Sequence, residues 1–371
     1  MLRIHLSLTR TVCAAAVVSV AVAAAPAHAL PRGTRVETYA RGLHRPVDMA
    51  WVPGTDKVFF TELDTGKVRV LVGTRLLRRP CVDLDVDATN DRGGLGIAVS
   101  PAFRADRHLY VFFTKRDPLE NRVVRFTVRR NRCESPTPVV TGLGVGNFHQ
   151  GGQLAFSDGK LFVAVGDNQD AALAQDPSSR QGKVLRLHPD GSVPADNPLL
   201  PDGTPGPVWS YGHRNPFGLA ARPGTTDVFL TENGPGCDDE LNLVARGRNF
   251  GHGPDSPCPS PRPPSGDDPV APLFLWPEVV APTDAWWYEG RMDELSGDLY
   301  AGDYLYGRIH RFDVAGTGTD ARVRAHRVVH DTDHVFSVSK GPRGWLYFVS
   351  SGRIQRIVPR PATVMRAALS S

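Results

Sequence analysis

Short runs in which apolar and polar side chains alternate recur six times along the chain in one arrangement: a β-rich run, a turn, then a second run alternating basic and apolar residues. Alternation at period two gives a strand two differently packed faces, and a glycine turn between two such runs makes a hairpin. The first three phrases are Lys57-Val-Phe-Phe-Thr with Gly66-Lys-Val-Arg-Val, His108-Leu-Tyr-Val-Phe-Phe with Arg122-Val-Val-Arg-Phe, and Lys160-Leu-Phe-Val-Ala with Gly182-Lys-Val-Leu-Arg-Leu. The last three are Asp227-Val-Phe-Leu-Thr with Glu240-Leu-Asn-Leu-Val, Asp298-Leu-Tyr-Ala with Gly307-Arg-Ile-His-Arg-Phe, and Trp345-Leu-Tyr-Phe-Val with Gly352-Arg-Ile-Gln-Arg-Ile. The aromatics Phe59, Tyr110, Phe162, Phe229, Tyr300 and Tyr347 are spaced by 51, 52, 67, 71 and 47 residues, a period that suits one four-stranded blade plus loops. Radial closure of such units leaves few free sheet edges. The pattern therefore predicts an all-β chain: one six-bladed β-propeller with four-stranded antiparallel blades over roughly residues 35–360, within a single domain of residues 30–371. The two long steps predict extra loops in the middle blades, one of them Arg262-Pro-Pro-Ser-Gly-Asp-Asp-Pro. Added length on such a ring commonly carries the site.

Composition narrows the function. With 41% hydrophobic residues the chain can bury a large core, while 37 Gly and 32 Pro argue against long helices. Lys and Arg number 43 against 39 Asp and Glu, so no strong single-sign field exists and nucleic acid is an unexpected partner. Arg3 and Arg10, the apolar stretch Val12 to Ala25, and Ala27-His28-Ala29 read as a secretory signal cleaved after Ala29. The apolar stretch falls short of the ~20 residues a membrane span needs, so no membrane span is expected.

Loss of Cys13 with the signal leaves Cys81, Cys133, Cys237 and Cys258, an even number in an oxidising compartment. Three pairings are possible. Neighbourhood favours Cys237 with Cys258 and Cys81 with Cys133. No Cys-x-x-Cys occurs, which disfavours a zinc or redox-exchange site.

Three segments carry candidate chemistry. In Asn147-Phe-His149-Gln-Gly-Gly to Gly166-Asp167, a loop histidine and a strand-end carboxylate make the pair a general base requires; the alternative is a backbone-bonded loop histidine and a turn cap. Gly142, Gly144 and Gly146 mimic a dinucleotide fingerprint, but no helix follows them. Tyr211-Gly-His-Arg214-Asn215-Pro216 sets a guanidinium beside a carboxamide, suited to an anionic or carbonyl-bearing ligand or else to satisfying loop carbonyls. Thr231-Glu-Asn-Gly234-Pro235 through Asp239-Glu240-Leu-Asn242 concentrates oxygen donors of the kind calcium prefers, though acidic turns of this sort also simply face solvent. Trp286, Trp287 and Tyr288 read as a loop before the fifth hairpin, able to cover a flat ring or to pack between blades.

In their order, His149-Gln-Gly-Gly, Gly166-Asp167, Gly212-His-Arg214-Asn215-Pro216, Glu232-Asn-Gly-Pro235 and Asp239-Glu240-Leu-Asn242 resemble the soluble glucose/aldose (sorbosone) dehydrogenases that depend on pyrroloquinoline quinone (PQQ). The resemblance covers roughly residues 35–358 and itself implies a six-bladed propeller. It implies that His149 takes the hydroxyl proton of a sugar while hydride passes to PQQ, that Asp167 holds the imidazole, that Arg214 joins them as a catalytic residue, and that His149, Arg214 and Asn215 contact the quinone. It further implies one calcium ion on the backbone carbonyls of Gly234 and Pro235, and a second at Glu240 with the backbone near Phe250. A small-molecule sugar and an external electron acceptor are the implied partners, with the protein a monomer or homodimer. Leu305, His334 and Phe336 stand where that family commonly has a lysine and two arginines facing the cofactor's carboxylates. A non-catalytic calcium-containing propeller that has lost PQQ, similar to the propeller of secreted hedgehog-interacting proteins, is therefore the competing expectation. A lactonase propeller would need metal-bound carboxylates from several blades, and no such set is evident.

Overall fold

A computed structural model describes residues 30–255, 258, 266 and 268–360. The proposed signal segment, Cys13, and Arg262 to Ser265 and Asp267 of the Arg262 insertion lie outside the described residues.

Each repeated hairpin is the middle of a blade. Lys57–Glu62 pairs with Lys67–Val72, His108–Lys115 with Glu120–Arg129, and Lys160–Val165 with Lys183–Leu187. In the same way Val228–Asn233 pairs with Glu240–Leu243, Asp298–Asp303 with Arg308–Ala315, and Leu346–Ser350 with Arg353–Pro359. Both faces of these hairpins press on neighbouring blades, which is why they are the most regularly apolar segments. All six period-marking aromatics are buried.

The inner strands Pro46–Trp51, Gly94–Val99, Gly151–Ser157, Asn215–Ala221, Pro282–Tyr288 and Ser337–Lys340 complete the blades toward the axis. Each packs on the next, and the sixth packs on the first, so the ring closes. The pairing register shifts near the start of the first five, between Pro46 and Met49, Gly94 and Ile97, Gly151 and Leu154, Pro216 and Gly218, and Pro282 and Ala285. A bulge re-aims a side chain. At the same level of three different blades the skipped positions include Asp48, Gln153 and Asp284. The six sheets are antiparallel, and the first adds a short fifth strand, Val82–Asp83.

Closure uses both ends of the described chain. Thr34–Arg41 forms the outer strand of the last blade, with Thr34 opposite Pro359, and Arg356 meets Glu37 at 2.9 Å. The disulfides are Cys81–Cys133, between the first two blades, and Cys237–Cys258. Cross-linking a long loop removes chain entropy from the unfolded state. Replacing Cys81 and Cys133 by alanine is expected to cost about 2–4 kcal/mol of stability, measured by denaturant unfolding under oxidising conditions.

One expectation is corrected. Trp286 to Tyr288 are not a loop but the end of the fifth inner strand, Pro282–Tyr288. Trp287 and Tyr288 are buried between blades, and Trp286 alone is exposed, on the face reached by the C-terminal ends of the inner strands. The period-two signal is hidden there because the alternate positions face a polar channel rather than solvent.

Candidate active site at the mouth of the ring

Antiparallel order puts the entries to the inner strands and the turns joining second to third strands on the same face of the ring. His149 lies just before the third inner strand, and Asp167 just after the second strand of that blade. Arg214 directly precedes the fourth inner strand, Asn215 opens it, and Gly234 follows that blade's second strand. The motifs are thus gathered by topology before any side chain is considered.

His149 has φ of 63°, a left-handed backbone that a non-glycine residue adopts at a cost, and its N–H donates to Asp91 Oδ2 at 2.8 Å. Its Nδ1 lies 2.7 Å from Asp167 Oδ1. Burial alone would raise the Asp167 carboxyl, but hydrogen bonds from His149 and His252 outweigh it and hold Asp167 well below the usual carboxylate range. An ionised carboxylate on Nδ1 makes that nitrogen the donor and leaves the Nε2 lone pair free to accept a proton. The His149 side chain keeps 15% of its surface exposed while Asp167 keeps 3%, so the base is reachable and its anchor is not.

The Asp167 N–H donates to the carbonyl of Arg214 at 2.8 Å, and the Asn215 side-chain oxygen accepts from the Gly151 N–H at 3.3 Å. The third and fourth blades are therefore stitched together at the site. Arg214 Nη1 donates to the carbonyls of Asn233 at 3.0 Å and Gly234 at 2.7 Å. Beneath it Glu232 accepts the Arg214 N–H and sits 2.9 Å from His213 Nδ1, whose Nε2 lies 2.9 Å from Ser210 Oγ. This Ser–His–Glu series is fully buried and serves the Arg214 turn. Asp239 ties the next turn, accepting the Gly234 N–H at 2.9 Å and the Val280 N–H at 2.7 Å.

Glu240 is buried and accepts from Asn242 Nδ2 at 3.0 Å, while Phe250 is fixed by its N–H on Tyr211 O at 2.8 Å and stacks on His213. Among the described residues, no three His, Cys, Asp or Glu side chains are grouped to hold a metal. A divalent ion at Gly234 and Pro235 would rest on backbone carbonyls and on its ligand. A carbonyl oxygen has two lone pairs, and Arg214 takes one at Gly234.

The rim is aromatic where cations were expected. Leu305 is half exposed, His334 stacks on Tyr304 with ring centres 4.3 Å apart, and Phe336 lines the channel below. Phe148, Tyr304 and Tyr306 are also exposed on this face. The arrangement fits a planar, anionic ring held by stacking, with Arg214 as the nearby positive charge. Reading the sequence missed Asp91, His252, and the roles of His213 and Glu232. The last two lie inside recognised motifs, but His252 sits in an aperiodic segment with no local signal.

The comparisons agree with this geometry. Residues 43–359 match the glucose/sorbosone dehydrogenase family. Aldose sugar dehydrogenase YliI of Escherichia coli K12 is 28% identical over 361 residues, covering 90% of this chain and 95% of that protein. Quinoprotein glucose dehydrogenase B of Acinetobacter calcoaceticus is 33% identical over 242 residues, covering 56% of this chain and 50% of that one. The PQQ-bound aldose sugar dehydrogenase of Streptomyces coelicolor superposes with a TM-score of 0.74 at 27% identity, covering 89% of this chain and 99% of that one. A closed six-bladed ring, the motifs brought to one mouth, and a family match along nearly the whole ring lead to one conclusion: the chain belongs to the glucose/sorbosone dehydrogenase family.

Proposed function

We propose that this protein is a secreted quinoprotein oxidoreductase that oxidises the C1 hydroxyl of an aldose or related sugar to the lactone, with PQQ as its cofactor and an external electron acceptor. The observation that carries the reading is the His149–Asp167 pair, at 2.7 Å, on the same mouth as Arg214 and the Gly234 carbonyl. When bound, PQQ supplies a quinone that accepts hydride. His149 Nε2 takes the hydroxyl proton as the C1–H bond breaks, and buried Asp167 stabilises the imidazolium formed. Arg214 and Asn215 would hold the cofactor's oxygens, and the exposed rings of Phe148, Tyr304 and Tyr306 would shield it from water. Gly234 and Pro235 would hold a calcium ion through their carbonyls, and Glu240 with the Phe250 backbone a second.

The two disulfides support export, since secreted proteins keep such bonds. In this reading residues 1–29 are the signal and residues 30–371 the propeller domain. Among the described residues no helix is long and apolar enough to cross a membrane.

Mature protein loaded with calcium and PQQ is expected to reduce an artificial dye when given aldoses. Stoichiometric PQQ binding with no dye reduction across a broad sugar and alcohol panel overturns the assignment. Leu305, His334 and Phe336, standing where the family commonly has a lysine and two arginines, favour a second reading, a binding propeller without PQQ. Calorimetry separates the two, because absence of PQQ binding at micromolar concentration supports the second and tight binding removes it.

A further inference from the structure

Asp167 carries a second imidazole to which the catalytic reading gives no role. His252 Nε2 lies 2.9 Å from Asp167 Oδ2, on the oxygen opposite the one that meets His149. His252 is buried, and its backbone is anchored to the neighbouring turns. Its N–H donates to Gly212 O at 2.9 Å, and its carbonyl accepts Gln175 Nε2 at 2.6 Å. Gly251 N–H donates to Asn249 Oδ1 at 2.9 Å, and Phe250 N–H to Tyr211 O at 2.8 Å. The imidazole thus comes from a loop with its own scaffold, independent of the His149 segment.

A carboxylate anchored at one oxygen can still turn about its Cβ–Cγ bond. Asp167 Oδ1 meets His149 Nδ1 and also the Gln169 N–H at 2.8 Å, both from its own blade. Among the described residues, the one hydrogen bond to its carboxylate from beyond that blade is the His252 contact at Oδ2. We propose that His252 is a positioning residue for sugar oxidation: by clamping the second oxygen of Asp167 it keeps the proton on His149 Nδ1 and the Nε2 lone pair toward the mouth. Which nitrogen of a histidine is protonated is set by the bond the other one makes, and that bond is only as fixed as the carboxylate making it. The low pKa of Asp167 agrees, since a carboxylate between two imidazoles stays ionised and accepts from both.

The inference rests on His149 being the base, so its test has a readout apart from activity. Imidazole nitrogen NMR of the protein without cofactor reports the His149 tautomer directly. Wild type is expected to hold one form, protonated at Nδ1. His252→Phe is expected to give a mixture of tautomers and, in loaded enzyme, about a tenfold fall in kcat with KM for the sugar little changed. His252→Gln, whose amide N–H reaches the same oxygen, restores both. Should His252→Phe not fold, His252→Asn, too short to reach Asp167, replaces it against His252→Gln. A single unchanged His149 tautomer with unchanged kcat in the folded variant overturns this inference alone. Full activity of a His149→Ala enzyme overturns instead the assignment of the base.

Discussion

Replacing His149 by alanine is expected to lower kcat/KM for sugar oxidation by about 10²- to 10⁴-fold while PQQ still binds stoichiometrically and thermal stability stays near wild type. The direction follows from the site's division of labour. Asp167 is buried and committed to hydrogen bonds from His149, His252 and the Gln169 N–H, so it has no geometry for reaching substrate. Among the described residues, His149 combines a ring nitrogen free of protein partners with partial exposure at the mouth. Without the imidazole the hydroxyl proton passes to water, which is a far weaker and unpositioned base. Asp167→Asn is expected to move kcat in the same direction, because the asparagine amide presents an N–H to one imidazole and disturbs the tautomer that leaves Nε2 free. Steady-state kinetics of loaded enzyme, with calorimetry of PQQ binding as the control, checks both. Retention of more than about a tenth of wild-type activity in His149→Ala places the base elsewhere.

The second large effect concerns stability. Asp48 and Asp284, both buried, flank the sixth inner strand and are bridged by its Ser337, whose Oγ lies 2.8 Å from Asp48 Oδ1 and 2.8 Å from Asp284 Oδ2. A hydroxyl has one proton to give, so with both carboxylates ionised one of these contacts has none; a proton on one carboxyl completes the pair. Backbone N–H groups of Met49, Ile97, Ala285 and Val338, and Gln153 Nε2, donate to the same two carboxyls. Burial pushes the Asp48 carboxyl up to about 6, and burial together with the Asp48 charge raises Asp284 well above the usual range.

A carboxyl whose pKa is raised on folding binds its proton more tightly in the folded ring. Its contribution is complete below the unfolded value near 4 and is lost as pH rises through the folded value. Wild type is therefore expected to lose on the order of 3 kcal/mol between roughly pH 4 and pH 8 from this pair. Asp284→Asn removes one of the two charges. Whatever constant offset the amide introduces beside the Val338 N–H, the difference between variant and wild type is expected to move in favour of the variant as pH rises. Melting temperatures of both proteins across that range give the answer, and parallel pH profiles exclude a shared proton.

The two sets of residues differ in how they are encoded. The middle hairpins were legible because both of their faces are buried against neighbouring blades, so period-two alternation with a marking aromatic survives in the sequence. The His149, Asp167, Arg214 and Gly234 segments were legible for a related reason. Each abuts a strand end, and the alternation of strand directions sends all those ends to one face. Disulfide partners were near enough along the chain for neighbourhood to favour them. The inner strands were harder, since bulges and a polar channel erase the alternation, and Trp286 to Tyr288 looked like a loop.

By itself the sequence determined the six repeats, the blade hairpins and the motifs at their ends, because these depend on contacts within a repeat or between adjacent ones. Tertiary structure alone decided the pairings made around the ring or through an aperiodic loop. Ser337 meets Asp48 at a separation of 289 residues, Gln153 meets Asp284 at 131, and His252 meets Asp167 at 85. No local period constrains residues so far apart; they become neighbours only when closure of the ring brings every inner strand to one axis and every mouth loop to one rim.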